Sequence, residues 1–413
     1  MRRERIVDVL VVGAGPAGLA TAAGLAAAGA GEVEVVDRDQ QAGGAARYCA
    51  HGGFGRLRLT GPQYAERCVA AAVGAGAVLR TGVTVTGSPD ALTLDTTGPR
   101  GLERITARAV VLATGARERP RGARLVPGTR PAGVFTTGEV QRAVHGHRQR
   151  IGIRAVVVGA EPVSFAALDL LRSAGVEVAA LVTEHPHHQA PRGRAAGARL
   201  LRGVPLLTDA TVTELLGHGR LSGVRLRHRD GRTAHLACDT VVFTGDFVPD
   251  HELARHSGVP LDPGTRGPAV DSAFRTAERG VFAVGNVLHA AEPARVVARE
   301  GAAASAAVRR YLFDGDWPSA SVPLRVTAPL AWIAPNRLTP DEPGDSGDGF
   351  TLRITEFVAR PTLVITQDGR TLYRARRRRQ AIPNRSLRIP GSWAGRVDAR
   401  GGAVRIALGT GGG

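Results

Sequence analysis

The sequence contains no lysine: all 54 of its basic residues are arginine, set against 37 acidic residues for a formal charge of +17. That absence excludes any mechanism built on a lysine Schiff base. Arginines occur in every region, between alanine, glycine and leucine, so the charge reads as a bias spread along the chain, and no nucleic-acid partner is expected. The one dense run, Arg374, Arg376, Arg377, Arg378 and Arg379, could face an acidic partner or nucleic acid; the simpler reading is a solvated strand edge. Cysteine is scarce, with only Cys49, Cys68 and Cys238. None stands at metal-clip or C-x-x-C spacing from another, which supports neither a zinc site nor an iron–sulfur cluster and fits a reducing compartment. His185, His187 and His188 cluster without a matching set of cysteines or carboxylates, so no metal is expected there. No apolar run reaches the ~20 residues of a membrane helix. The first apolar run starts at Ile6 and is broken by Asp8 and Gly13, unlike a signal peptide. The expectation is a cytoplasmic protein without a membrane span, of roughly two to four domains.

What is present is glycine in particular places. Residues 6–12 read I-V-D-V-L-V-V, the pattern of a strand buried on both faces of a parallel sheet. Gly13-Ala14-Gly15-Pro16-Ala17-Gly18 follows at once. Gly13 permits the tight turn, Gly15 lets a pyrophosphate approach the backbone, and Gly18 lets the next helix pack on the strand. Pro16 sits in the first helical turn, where a missing N–H leaves no bond unmade. The helix N-terminus presents free N–H groups and partial positive charge to phosphates. A second strand ends at Asp37, about 20 residues beyond the glycines, where a carboxylate binds the hydroxyls of an adenosine ribose and disfavours a 2′-phosphate. The unit therefore reads as a site for FAD or NAD.

Arg38 follows, and then a second pair, Gly43-Gly44, that can close over a bound dinucleotide. Residues 45–55, A-A-R-Y-C-A-H-G-G-F-G, read as a loop over a ligand and carry Cys49 and His51, the one reactive-looking pair nearby. A structural or loop-lining role for the two outweighs a catalytic one. Gly61-Pro62 opens a helix. Val83–Val85, Leu92–Leu94 and Ile105–Ala107 read as an antiparallel meander, and Ala109–Ala113 as an apolar strand stopped by Thr114-Gly115. Residues 155–183 repeat strand, turn, helix and strand, but here the fingerprint is Gly159-Ala160-Glu161-Pro162-Val163-Ser164. Glu161 puts bulk and negative charge where phosphate must come closest, so NAD(P) binding is disfavoured there. Residues 203–245 are short strands ending at Thr244-Gly245. Gly280-Val281-Phe282-Ala283-Val284-Gly285-Asn286 precedes a helix from Ala294 to Tyr311. Residues 322–413 alternate as short strands, with a loop over 336–349, and read as a small β-sandwich.

These motifs, taken together, resemble the pyridine nucleotide-disulfide oxidoreductase class of flavoproteins over about residues 6–312. The resemblance implies an α/β fold of two Rossmann-like dinucleotide-binding domains, the FAD domain discontinuous and the NAD(P)-type domain inserted, plus a C-terminal all-β sandwich-like domain. The implied boundaries are 1–118 and 247–315 for the FAD domain, 119–246 for the inserted domain and 322–413 for the β-domain. It further implies that Thr114-Gly115 passes beside the FAD pyrophosphate. Gly285-Asn286 takes the place of a Gly-Asp pair that receives a ribityl hydroxyl, and Val297 lies under the flavin ring. Disulfide reductases of the class carry a close cysteine pair, which this chain lacks. R-Y-C-A-H-G-G-F-G and G-A-E-P-V-S-F are similar to the FAD-containing subunit of hydrogen cyanide synthase, opine oxidase and hydroxyproline dehydrogenase-type complexes. That narrower resemblance implies an FAD-dependent dehydrogenase, or its electron-transfer subunit, acting on an amine or amino acid with a partner subunit or acceptor. An NAD(P)H-dependent flavoprotein reductase and a non-enzymatic FAD-binding redox or docking module are the alternatives.

Overall fold

Val9, Leu10 and Val11 of the first strand, Arg3–Val12, are fully buried because apolar neighbours cover both faces of their sheet. The computed structural model describes residues 2–55, 59–190, 203–339 and 349–409. They fall into two compact units: Met1–Arg47, Phe54–Ala116 and Val248–Gly413 form one, Tyr48–Gly53 and Arg117–Phe247 the other.

In the first unit the sheet runs Val78–Thr81, Val33–Asp37, Arg3–Val12, Gly101–Leu112, Thr93–Gly98, Thr84–Asp90, with Val281–Ala283 also pairing Gly101–Leu112. Val11 pairs in parallel with Val35 on one side and Val111 on the other, and Val111 with Phe282. The helices Pro16–Ala27 and Ala294–Asp314 cover one face, burying Leu19, Leu25 and Val308 against Val9, Val11, Val111 and Phe282. The sequence reading divided residues 105–113 between a meander and a separate strand. They form one strand, Gly101–Leu112, antiparallel to Thr93–Gly98 and parallel to Arg3–Val12. The fully buried Glu34 is held in this sheet by Arg5 at 2.7 Å and Arg80 at 2.8 Å, the pairing a buried carboxylate needs.

Also in this unit, residues beyond 322 build two sheets. Five strands run Arg337–Leu338, Val322–Val326, Val404–Gly409, Thr362–Gln367, Arg370–Arg376, and three run Leu330–Ala334, Phe350–Ile354, Leu387–Ile389. They enclose one apolar core in which Phe350 and Trp393 pack with ring centroids 4.9 Å apart. Arg374 and Arg376 lie on the edge strand Arg370–Arg376. Most of the loop read at 336–349 lies outside the described residues, although Arg337–Leu338 is a strand.

The second unit has its own parallel sheet, in the order Val134–Thr136, Thr240–Phe243, Arg154–Val158, Glu177–Val182, Leu206–Leu207. The helix Pro162–Ser173 buries Phe165, Leu168 and Leu171 against it, and a three-stranded antiparallel sheet spans Ala210–Leu216, Gly223–His228 and Thr233–Ala237. Among the described residues no helix is long and apolar enough to cross a membrane.

Candidate functional site

The first glycine turn connects Arg3–Val12 to Pro16–Ala27, and its geometry follows from which glycines touch something. Gly13 has φ +111°, and a Cβ there would stand 2.3 Å from the Ala113 carbonyl oxygen. A Cβ on Gly18 would stand 2.0 Å from the Gly13 oxygen, so helix and turn pack backbone to backbone. Gly15 is different: nothing lies within 4 Å of the place its Cβ would take. It is the N-cap of the helix, no side chain caps the first turn, and Pro16 takes the first position. An uncapped N-terminus facing open space has the form of an anion cradle, so the residues present fit a dinucleotide pyrophosphate.

The neighbouring candidates converge on this turn. Asp37 accepts from the Ala14 N–H at 2.6 Å and from the Asp39 N–H at 2.8 Å, so its carboxylate braces the turn and still has lone pairs for ribose hydroxyls. Arg38 pairs with Asp250 at 3.1 Å. The Gly43 N–H donates to the Ala14 oxygen at 2.7 Å, and a Cβ on Gly44 would come within 2.9 Å of the Gly15 Cα. Thr114 donates its hydroxyl to the Asp250 carbonyl at 2.7 Å, and the Gly115 carbonyl accepts from the Asp250 N–H at 2.9 Å. Gly285, at φ +78°, has Ala17 Cβ 2.6 Å and Val297 Cβ 3.4 Å from its own Cβ position. That contact brings the start of Ala294–Asp314 against the glycine turn. Asn286 accepts from the Glu292 N–H at 2.8 Å and donates to the Glu292 carbonyl at 3.3 Å, closing the 286–292 loop, which opens with the single helical turn Asn286–His289, on itself.

Cys49 and His51 belong to the second unit. With Tyr48, Gln141, His145 and Asp169 they line a cavity of about 190 Å³. Gln141 donates to the Cys49 sulfur at 3.5 Å, and burial pushes the thiol up to about 11. At neutral pH this group is a thiol and not a thiolate, which argues against Cys49 as a nucleophile. Cys238 is pushed up to about 11 as well, first by burial, and no disulfide joins any of the three cysteines.

The second glycine turn has the same frame and a different interior. Gly159 has φ +134°, and a Cβ there would meet the Thr244 hydroxyl at 2.0 Å. Glu161 is the N-cap of Pro162–Ser173 and only 8% exposed. Its carboxylate is turned inward: Oε1 lies 1.6 Å from the position a Cβ on Gly245 would take. Ser164 accepts from the Glu161 N–H at 3.2 Å and bonds the Thr244 hydroxyl at 2.6 Å. Thr244 donates onward to the Val158 carbonyl at 2.9 Å, so the proton in the Ser164–Thr244 bond comes from Ser164. A second carboxylate, Glu118, accepts from the N–H groups of Gly138 at 2.9 Å and Gly245 at 3.1 Å, and burial raises it above the usual carboxylate range. Arg124, whose guanidinium faces Glu118 and Glu161, donates to the Gly245 carbonyl at 2.7 Å. Glu118 and Arg124 escaped the sequence reading because Gly245, which both of them bond, lies more than 100 residues away and no motif marks them.

Beside the first turn, the reading also missed His289, Glu292 and Glu300. Nε2 of the buried His289 meets the Glu300 carboxylate at 3.1 and 3.2 Å. Burial opposes charge on the imidazole, but the Glu300 carboxylate outweighs it and the group is raised above 6.5. The i, i+11 spacing of this pair across a loop gives no periodic signal.

Comparison with known proteins gives this geometry its place. The family described as pyridine nucleotide-disulphide oxidoreductase matches residues 7–309. The chain is 30% identical over 379 residues to sarcosine oxidase subunit alpha of Corynebacterium sp. (strain P-1), covering 85% of this chain and 37% of that one. It is 28% identical over 170 residues to a ferredoxin–NADP reductase of Ignicoccus hospitalis, covering 40% of this chain and 54% of that one. The chain thus spans only about 37% of the Corynebacterium subunit, and 15% of a sarcosine oxidase subunit alpha of Rhizobium meliloti. Among solved structures, thioredoxin reductase of T. acidophilum matches with a TM-score of 0.62 at 24% identity, over 74% of this chain and 98% of that one. L-proline dehydrogenase of P. horikoshii matches with a TM-score of 0.56 at 18% identity, over 75% of this chain and 56% of that one. Both structural matches show the fold. From strand, glycine turn and nucleotide-domain architecture alike, this chain belongs to the pyridine nucleotide-disulphide oxidoreductase family.

Proposed function

We propose that the chain is the FAD-bearing part of a dehydrogenase that oxidises an amine or amino acid and passes the electrons to a partner subunit or acceptor. One observation carries the reading: the first glycine turn is open at Gly15, and the second is filled by Glu161. A flavoprotein with one open dinucleotide cradle and one filled by its own carboxylate takes its electrons from something other than a nicotinamide. The sarcosine oxidase relatives point the substrate class toward amines, over the share of their length that this chain spans.

In this proposal the FAD pyrophosphate lies over Gly13, Gly15, Pro16, Ala17 and Gly18, at the N-terminus of Pro16–Ala27. Asp37 receives the adenosine ribose, with Arg38 beside it, and Gly43 and Gly44 close the far side. Thr114 and Gly115 flank the phosphates, Gly285 and Asn286 meet the ribityl chain, and Val297 supports the ring. Bound FAD supplies a hydride acceptor at N5. The chain's part is to orient it: the N-terminus of Ala294–Asp314 has no acidic residue in its first turn, so its dipole is free to favour negative charge there. Inward-turned Glu161 keeps a nicotinamide dinucleotide off the second turn through bulk and like charge.

The test is anaerobic bleaching of the flavin spectrum with sarcosine, proline, other small amines and amino acids, and NADH. The expected result is reduction by a member of the amine and amino-acid panel and little or none by NADH. Rapid bleaching by NADH with micromolar saturation would instead assign the chain as a reductase.

A further inference from the structure

The C-terminal β-domain, residues 322–413, is bound to the rest of its unit through buried charge. The loop from Gly285 to Ala294 packs against the first glycine turn through Gly285, Ala17 and Val297. Asn286 closes this loop from within, but two of its side chains find partners outside it. Glu292 is buried, and its carboxylate accepts from Arg353 Nη2 at 2.6 Å and from the Ser386 hydroxyl, both from the β-domain. The same Arg353 nitrogen donates to the Ala291 carbonyl at 2.8 Å, and its other terminal nitrogen to the Asn384 carbonyl. Arg353 sits opposite Trp332 in the register of Phe350–Ile354 with Leu330–Ala334, and its guanidinium lies 5.5 Å from the Trp332 ring centroid. The other face of the contact is His289, whose ring stacks on Trp332 at 5.9 Å and 14°. His289 is anchored at Nε2 by Glu300, and its buried Nδ1 has no hydrogen-bond partner among the described residues. One carboxylate and one indole therefore hold the imidazole in place.

We propose that the β-domain is a working part of the FAD site: Arg353 and Trp332 are positioning residues that set the 285–294 loop through Glu292 and His289. A domain that served only to dock a partner has no need of this arrangement. A buried carboxylate deprived of its arginine is left as an uncompensated charge and is unstable where it stands. The loop then relaxes to expose Glu292, and the Gly285–Val297 contact beside the cradle loosens with it. FAD affinity and flavin potential respond to a residue that, in the proposed placement, does not itself touch the cofactor. The inference rests on the proposed placement of FAD over the first turn.

The experiment uses the full chain, stripped of flavin and titrated with FAD, comparing wild type with Arg353→Ala, Arg353→Lys and Trp332→Leu. Thermal unfolding and near-ultraviolet circular dichroism report the fold. The expected result for Arg353→Ala is FAD affinity weakened ten-fold or more with a shifted midpoint potential, partly restored in Arg353→Lys, and a smaller loss in Trp332→Leu. Folded Arg353→Ala with unchanged affinity and potential overturns the proposal. If Arg353→Ala does not fold, Trp332→Leu decides, and unchanged FAD binding there overturns it equally. Gly15→Trp in the same titration tests the cofactor placement separately. Loss of FAD in Gly15→Trp but not in Arg353→Ala rejects the positioning role alone, whereas full FAD binding by Gly15→Trp rejects the placement itself.

Discussion

The two glycine turns share a strand, a tight turn at positive φ, a proline at the start of the helix and a following strand. They differ in what occupies the second and third fingerprint positions. At the second position, Gly15 faces open space and Glu161 folds inward against Gly245. At the third, Gly18 leaves the helix in backbone contact with Gly13, while Ser164 is fully buried and spends its hydroxyl on Thr244 and Glu161. The comparison separates two demands that a motif merges. Glycine at the third position serves packing, and a hydroxyl can replace it when the chain supplies bonding partners. Glycine at the second position serves the ligand, and nothing in the fold itself requires it, so the second unit keeps its architecture with a glutamate there.

The largest effect expected from this comparison is at Gly18. Its Cβ position is 2.0 Å from a backbone oxygen, which cannot give way as a flexible side chain could. Gly18→Val should destabilise the first unit by about 3 kcal/mol and release FAD. Denaturant unfolding followed with the flavin absorbance tests this. Wild-type stability with retained flavin would mean the first turn tolerates what the second does, and the packing distinction would fail.

A middle-sized effect is expected at Glu161. Glu161→Gly removes both bulk and charge from the second turn, and glycine at an N-cap weakens the helix by only a few tenths of a kcal/mol. NADH affinity, read by fluorescence titration, should rise about ten-fold or more, which corresponds to roughly 1.4 kcal/mol. No gain would show that Ser164, Glu118 or the surrounding turn had already closed the site.

The smallest effect concerns pH. Burial raises Glu118 above the usual 4.5, so the folded state holds this proton more tightly than the unfolded chain does. The stabilisation is complete below 4.5 and is lost as pH rises through the folded value. Glu118→Gln should flatten that part of the stability profile. It should also add a constant loss of about 1 kcal/mol, because the amide has one acceptor oxygen for the N–H groups of Gly138 and Gly245. Urea unfolding of both proteins from pH 4 to pH 8 makes the measurement, and parallel profiles would show that Glu118 does not carry the slope.

Both strand–turn–helix units were legible in the sequence, as were the helices opening at Gly61 and Ala294 and five of the strands beyond residue 322. Each of these rests on local spacing. The strand Leu330–Ala334 was not read, because A-P-L-A-W-I-A-P is an unalternating apolar run between prolines. Gly101–Leu112 was read in pieces because its partners change from one end to the other. Cys49 and His51, two residues apart, looked reactive, but the titration of a thiol depends on what buries it, and no local pattern encodes burial.

The sequence by itself determined where a helix N-terminus is left open, because that depends on a missing side chain at Gly15 within a turn whose shape is local. It also determined, by placing a glutamate at position 161, that the second turn carries an obstacle. Only the tertiary structure decided which way that carboxylate points, and that the β-domain supplies Arg353 and Trp332 to the loop beside the first turn. The physical reason is the range of the forces involved: backbone sterics act between adjacent residues, whereas a buried charge finds its partner wherever the fold brings one.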